Sequence, residues 1–215
     1  MSSNPINLLN EKGSISSDST AGDAGHIRME AHNITVNNGA KLSTVAQGGT
    51  GKGGDVTLIA HGTLTVEGSR SSIQTDTLAG GNAGNVDLLA SQILVANGGQ
   101  VSSSALSGST GSGGTVVAAA TGTLTVAGSG SSIKTDTLGS GNAGNVGLSA
   151  SQILLRDSGR ISSASLPGGT GAAGNINILA TDLSVNSASI TTQSAQSQGG
   201  SISITAPGMM NITSG

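Results

Sequence analysis

Apolar and polar residues alternate along this chain in short stretches that recur about every 30 residues. Residues 84–90, Gly-Asn-Val-Asp-Leu-Leu-Ala, show the unit: a leading glycine, then small or branched apolar residues at every second position. Such alternation predicts a short β-strand. The leading glycine recurs at Gly25, Gly54, Gly84, Gly114, Gly144, Gly174 and Gly200. A repeat of this length predicts a stacked architecture in which each unit packs on its neighbours.

Two further strands are predicted in each unit. The second carries an apolar pair two residues apart: Ile34/Val36, Leu64/Val66, Ile93/Val95, Leu124/Val126, Ile153/Leu155, Leu183/Val185 and Met210/Ile212. The third is anchored by one apolar residue, at Leu42, Ile73, Val101, Ile133, Ile161 and Ile190. Asn-Gly pairs at 38–39 and 97–98 separate these strands and supply the positive φ that tight turns require.

These strands predict an all-β fold, a right-handed parallel β-helix with three-strand coils of about 30 residues. Each strand pairs with its counterpart one coil later, and crossovers between parallel strands are right-handed almost without exception. Residues 51–110 and 111–170 are near-copies, so the repeating unit is a double coil of about 60 residues. Coils spaced about 4.8 Å apart give a rod roughly 33 Å long.

The chain is expected to form one solenoid segment over residues 1–215. Residues 1–21 are predicted as a partial coil, 22–198 as six full coils and 199–215 as another partial coil. Neither end shows an evident polar cap, which solenoids need for solubility, so a segment of a longer array is expected. Such a segment could stack end to end. Residues 1–5 lack the basic and apolar regions of a signal peptide.

Composition excludes several function classes. The chain has 8 Lys plus Arg against 11 Asp plus Glu, and no Phe, Tyr, Trp or Cys. Without a basic stripe or aromatic rings, nucleic acid is not an expected partner. No run of 18 apolar residues occurs, so no membrane-spanning segment is expected.

Catalysis would require clustered carboxylates, and the candidates are Asp76 and Asp136 in matching Thr-Asp-Thr sequences. Two coils should separate them by about 9.6 Å, at the far edge of the range for an inverting glycosidase. Both are equally consistent with solvated loop residues. We therefore predict no enzyme activity and assign no catalytic residue.

Metal and cofactor sites are not predicted either. His32 and His61 both follow a strand-end alanine and should stack on adjacent coils, where two imidazoles could share a transition metal. The same corner holds Ser91, Thr121, Ser151 and Thr181 on other turns, and no third ligand is evident. His26 is expected on the outer face of a strand. The Gly-rich loops contain few acids, and their period does not match calcium-binding repeats.

Asn85, Asn145 and Asn175 occupy one slot, which other coils fill with His26, Asp55, Thr115 and Ser201. Such a polar column should hydrogen-bond along the rod and satisfy backbone groups at the turn.

Ice binding is a rival function, since Thr63/Thr65 and Thr123/Thr125 could form ranks on a flat face. The alternate coils should place Gln92/Leu94 and Gln152/Leu154 at these positions, which would interrupt the rank.

The motifs also resemble a known family. Gly-Asn-Ala-Gly-Asn-Val at 141–146, Ser-Gln-Ile-Leu at 151–154 and Gly-Arg-Ile-Ser-Ser at 159–163 are similar to repeats of filamentous-haemagglutinin-like exoproteins, bacterial surface proteins exported by two-partner secretion. The resemblance implies a secreted or cell-surface, non-catalytic shaft of an adhesin or extracellular fibre that serves adhesion or biofilm. Expected partners are further copies, along the fibre axis or laterally, and host or neighbouring-cell surfaces or polysaccharide. The alternative is an ice-binding or polysaccharide-acting β-helix.

Overall fold

The structure is a parallel β-solenoid of about seven turns. A computed structural model describes residues 6–8 and 13–214. The predicted fold class is confirmed, since successive turns lie about 30 residues apart and every pairing between strands is parallel. Residues 1–5 and 9–12 of the predicted first partial coil lie outside the described residues.

The strands are short except where two of them join. Their bounds are β1 Ile6–Leu8, β2 Ser14–Ser16, β3 Ile27–Ala31, β4 Ile34–Asn37, β5 Lys41–Ser43, β6 Val56–Glu67, β7 Ser72–Gln74, β8 Val86–Ala96, β9 Gln100–Ser102, β10 Val116–Ala120, β11 Thr123–Ala127, β12 Ser132–Lys134, β13 Val146–Arg156, β14 Arg160–Ser162, β15 Ile176–Asn186, β16 Ser189–Thr191, β17 Ile202–Thr205 and β18 Met210–Thr213.

The strands form two sheets that run along the solenoid. The first and second strands of every turn belong to one 11-stranded sheet, and the third strands form a seven-stranded sheet in the order β2-β5-β7-β9-β12-β14-β16. A further column of single parallel bridges follows the third strand, for example Thr77 with Ala105 and Ala105 with Thr137.

The first and second predicted strands run into each other in β6, β8, β13 and β15. The corner between them keeps its bonds to the neighbouring turn, because Gly62 N–H in β6 donates to the His32 carbonyl at 2.6 Å and Gln152 N–H in β13 donates to the Gly122 carbonyl at 3.1 Å. The two strands predicted separately are therefore continuous within one sheet, and a register shift in the pairing of β6 with β8 marks a bulge between Ala60 and Thr63.

The core is a set of stacked columns of Val, Ile, Leu and Ala. Val56, Val86 and Val116 are fully buried and lie in register on successive turns. Inward positions alternate with outward ones, as the burial of β6 shows along its length. A core built from repeated aliphatic columns needs no aromatic ring, since each side chain packs on its counterpart one turn away.

The leading glycines stack directly on one another. A Cβ at Gly144 would lie 1.8 Å from the carbonyl oxygen of Gly114, and a Cβ at Gly174 would lie 1.9 Å from that of Gly144. Crowding between backbones, rather than a positive φ, therefore requires glycine at this column. Positive φ occurs at the predicted Asn-Gly turns, at Asn38 (53°), Gly39 (84°), Asn97 (51°) and Gly98 (91°).

Candidate functional site

The residues with the greatest potential for chemistry lie on the outer side of the seven-stranded sheet. Two open depressions follow this face. One, of about 400 Å³, is lined by Asp18, Lys41, Asp76 and Leu78. The other, of about 290 Å³, is lined by Lys134, Asp136, Arg160 and Leu166. We call this surface the carboxylate face.

Asp76 and Asp136 are buried, with 4% and 6% of their surface exposed. The interpretation as solvated loop residues was wrong, because the alternation that points them outward gives no sign that the face is concave at this position. Their predicted separation by two turns is confirmed, since the bridges Thr77–Ala105 and Ala105–Thr137 place one turn between them.

Each carboxylate is engaged by the backbone of the following turn. Ser104 N–H donates to Asp76 Oδ1 at 2.7 Å, and the Ser102 hydroxyl donates to the same oxygen. Asp136 Oδ1 accepts from Ala164 N–H at 2.9 Å and from the Ser162 hydroxyl. The matching residue two turns earlier, Asp18, is exposed but accepts the same pair of bonds, from Val45 N–H and the Ser43 hydroxyl.

Each of the two buried carboxylates lies near a cation of this face. Arg160 Nη2 lies 3.9 Å from Asp136 Oδ2 and donates to the Ser162 hydroxyl at 2.9 Å. Burial raises the pKa of the Asp76 carboxyl above its ordinary value, and the hydrogen bonds from Ser102 and Ser104 and the charge of Lys134 offset this only in part. The two aspartates thus serve as acceptors that connect turns.

A row of leucines borders the carboxylate face, and sequence reasoning missed it. Leu78, Leu106, Leu138 and Leu166 each follow a bridging residue on four successive turns. Leu78 is 43% exposed and the other three are half-buried. The near-copies carry the signal that could have revealed this row, since a leucine follows Thr-Asp-Thr at both 75–77 and 135–137.

The asparagine column behaves as predicted. Asn85 Oδ1 accepts from Thr115 N–H at 2.9 Å, Asn145 Oδ1 accepts from Asn175 N–H at 2.8 Å, and Asn175 Oδ1 accepts from Ser201 N–H at 2.9 Å. Each bond spans one turn. These side chains satisfy main-chain donors just before the first strand, where the sheet has not yet begun.

The three histidines lie at two places along the first strands, and His26 precedes the strand on which it was expected. The register of Ala31 with Ala60 places His32 and His61 on adjacent turns, and His61 Nε2 lies 3.2 Å from Glu30 Oε1. His26 lies one residue before β3, where its Nδ1 accepts from Asp55 N–H at 2.9 Å. Within the described part of the chain, no three His, Cys, Asp or Glu side chains cluster in a way that could hold a metal ion.

The threonine ranks are interrupted as expected. Thr63 and Thr65 pair in register with Gln92 and Leu94, and Thr125 pairs with Leu94 on one side and Leu154 on the other. Thr35 pairs with Thr65 on the adjacent turn. The Thr63/Thr65 and Thr123/Thr125 pairs stand on alternate turns, and the glutamine and leucine side chains between them break up a flat hydroxyl array.

Across residues 6–8 and 13–214, no helix has the length and apolar character needed to cross a membrane. The chain matches no protein-family model, no curated protein and no solved structure.

Proposed function

We propose that this chain is a non-catalytic structural shaft, part of a secreted bacterial surface adhesin or extracellular fibre. The observation that supports the proposal is that polar side chains form hydrogen bonds between successive turns. Asp76, Asp136 and the asparagine column direct their acceptor oxygens to main-chain donors of the next turn. These side chains connect one turn to the next, as a rod that holds its length under load requires.

The core supports the same role. Fully buried aliphatic residues recur on every turn from β4 to β14, with the glycine column packed at backbone contact beside them. Main-chain hydrogen bonds and stacked side chains repeat along one axis, so stiffness and length follow from the number of turns. The similarity of 141–146, 151–154 and 159–163 to repeats of filamentous-haemagglutinin-like exoproteins adds the expectation of export to the cell surface.

A variant with a second copy of residues 51–110 inserted after residue 110 tests the shaft. Electron microscopy of the two purified proteins should show thin rods, with the variant longer by about 10 Å because two turns of about 4.8 Å are added. A compact particle, or a variant that does not lengthen, would contradict a shaft. A matched variant that duplicates 111–170 should give the same increment.

The polysaccharide-acting alternative is tested on the same preparations. Incubation with neutral and acidic polysaccharides should release no new reducing or unsaturated ends from either protein. Polysaccharide cleavage that disappears in Asp76→Asn or Asp136→Asn would show that the protein is an enzyme and not a shaft.

The location of the protein is tested separately. Antibodies against the chain should label intact producing bacteria or their medium, and labelling only after lysis would refute export.

A further inference from the structure

The outer face of the first strands carries a knob and a notch that fit each other. We call this surface, formed by the outward residues of β3, the first part of β6 and β8, β10, the first part of β13 and β15, and β17, the strand face. Leu89 protrudes from it with 43% of its surface exposed. Two turns later, Gly147 and Ser149 form a notch of about 360 Å³ between Val117 and Leu179.

The register fixes how the knob and the notch are placed. Leu89 pairs with Ala119, Ala119 with Ser149, and Ser149 with Leu179, so these four residues form one column on successive turns. Gly147 lies in the neighbouring column beside Val117. A Cβ at Gly147 would meet only the Val117 Cγ2 atom, at 3.9 Å, so the space above this glycine is open.

We propose that the strand face is a lateral interface between two copies of this chain, packed as antiparallel rods about a two-fold axis through Ala119. Such an axis reverses the order of the turns, so the turn before Ala119 faces the turn after it. Leu89 of each copy then enters the notch at Ser149 of the other copy. Ile59 meets Leu179, and Ala119 meets Ala119. An isologous contact needs this self-complementarity.

The charge and size of the face fit a second copy. From β6 to β17 the outward positions of the first strands carry one charged residue, Asp87, and depletion of charge is typical of interface cores. The charged residues Arg28 and Glu30 lie on β3, at the rim of the face. Asp87 would face Gly147 of the second copy, with the Asn177 amide one turn away as a donor. The strand face is about five residues wide along each strand and seven turns long, so its area is roughly 550 Å². Stable interfaces bury about 800 Å² per partner, so the dimer is weak and reversible.

The two near-copies, residues 51–110 and 111–170, suggest substitutions that the fold should accept, because the substituted residue already occurs at the equivalent position. Leu89→Ser removes the knob and Ser149→Leu fills the notch, and each introduces the residue that the other double coil has at that position. Sedimentation from about 10 to 500 µM should show a monomer–dimer equilibrium for the original chain and a dissociation constant raised at least about tenfold for either variant. Circular dichroism and melting temperature should stay unchanged.

An exchange variant makes the test decisive. Asp87→Gly, Leu89→Ser, Gly147→Asp and Ser149→Leu together move the knob to β13 and the notch to β8, still symmetric about Ala119. Dimerisation should return to within a few-fold of the original. A monomeric exchange variant, single variants that dimerise like the original, or an original chain that stays monomeric throughout would overturn the proposal.

Cross-linking separates this lateral contact from end-to-end stacking. The chain contains no cysteine, so any cross-link must form through the introduced thiols. Ala119→Cys lies on the axis and should cross-link to itself through a short bis-maleimide, because sheets packed face to face lie about 10 Å apart, which is beyond the reach of a direct disulfide. Leu89→Cys should cross-link only when mixed with Ser149→Cys. Gln100→Cys, on the seven-stranded sheet, is the control, and cross-linking there but not at Ala119 would refute the interface.

Discussion

Residues 51–110 and 111–170 are two successive double coils with closely similar sequences, and they differ mainly where the solenoid does not depend on side-chain identity. The leading glycines Gly84 and Gly144 are the same, and so are the buried acceptors Asp76 and Asp136. These residues contact the neighbouring turn directly, through backbone packing or hydrogen bonds. The residues that contact the neighbouring turn, the leading glycines and the buried aspartates, are therefore the same in both double coils.

The residue that donates a hydrogen bond to the buried carboxylate differs between the two double coils. Asp76 accepts from the N–H of Ser104, whereas Asp136 accepts from the N–H of Ala164. Since the donor is the main chain, the side chain at that position can change without loss of the bond. Outward positions change more, as Asp87 and Leu89 become Gly147 and Ser149. The surface of each double coil can therefore vary while its frame is kept.

The largest effect is expected from two glycines of the second double coil that lie three residues apart. Gly144→Ala should destabilise the chain by about 3 kcal/mol, because its Cβ would overlap the Gly114 carbonyl. Gly147→Ala meets open space and should stabilise by roughly 0.5–1 kcal/mol, since glycine in a strand has excess freedom when unfolded. Denaturant unfolding measures both. Equal effects would show that the glycine column is not set by crowding.

A smaller effect is expected at Asp76. Asp76→Ala should cost about 1–3 kcal/mol by leaving the Ser104 N–H and the Ser102 hydroxyl without their acceptor. Asp76→Asn keeps an acceptor oxygen and should be far milder.

The pH dependence separates charge from hydrogen bonding. Because burial raises the pKa of Asp76 above 3.8, the stability that the protonated carboxyl contributes is complete below pH 3.8 and is lost as pH rises through the raised pKa. Asp76→Asn cannot ionise, so its stability relative to the original chain should increase with pH over this range. Melting temperatures of the two proteins from acid to neutral pH provide the check, and a constant difference would argue against a raised pKa.

Sequence periodicity predicted the turns, the three strand positions and the inward columns, because buried aliphatic residues must recur wherever a turn recurs. It also predicted the asparagine column. It could not predict that Asp76 and Asp136 are buried, since residues from neighbouring turns, including leucines of the leucine row, line the depressions in which they lie. Nor could alternation show that the first two strands join, because hydrogen bonds across the corner at Gly62 are made by the backbone.

The smallest effect is expected at a turn where the two double coils differ. The turn Asn97-Gly98 has φ of 51° and 91°, and its counterpart Asp157-Ser158 has φ of 54° and 69°. Serine is strained in this left-handed region, and glycine is not. Ser158→Gly should therefore stabilise the chain by about 1 kcal/mol. The reverse comparison, Gly98→Ala, should destabilise it, since its Cβ would also lie 3.1 Å from the Cα of Ser69. Denaturation midpoints that stay unchanged for both variants would mean that these turns, unlike the glycine column, tolerate either residue.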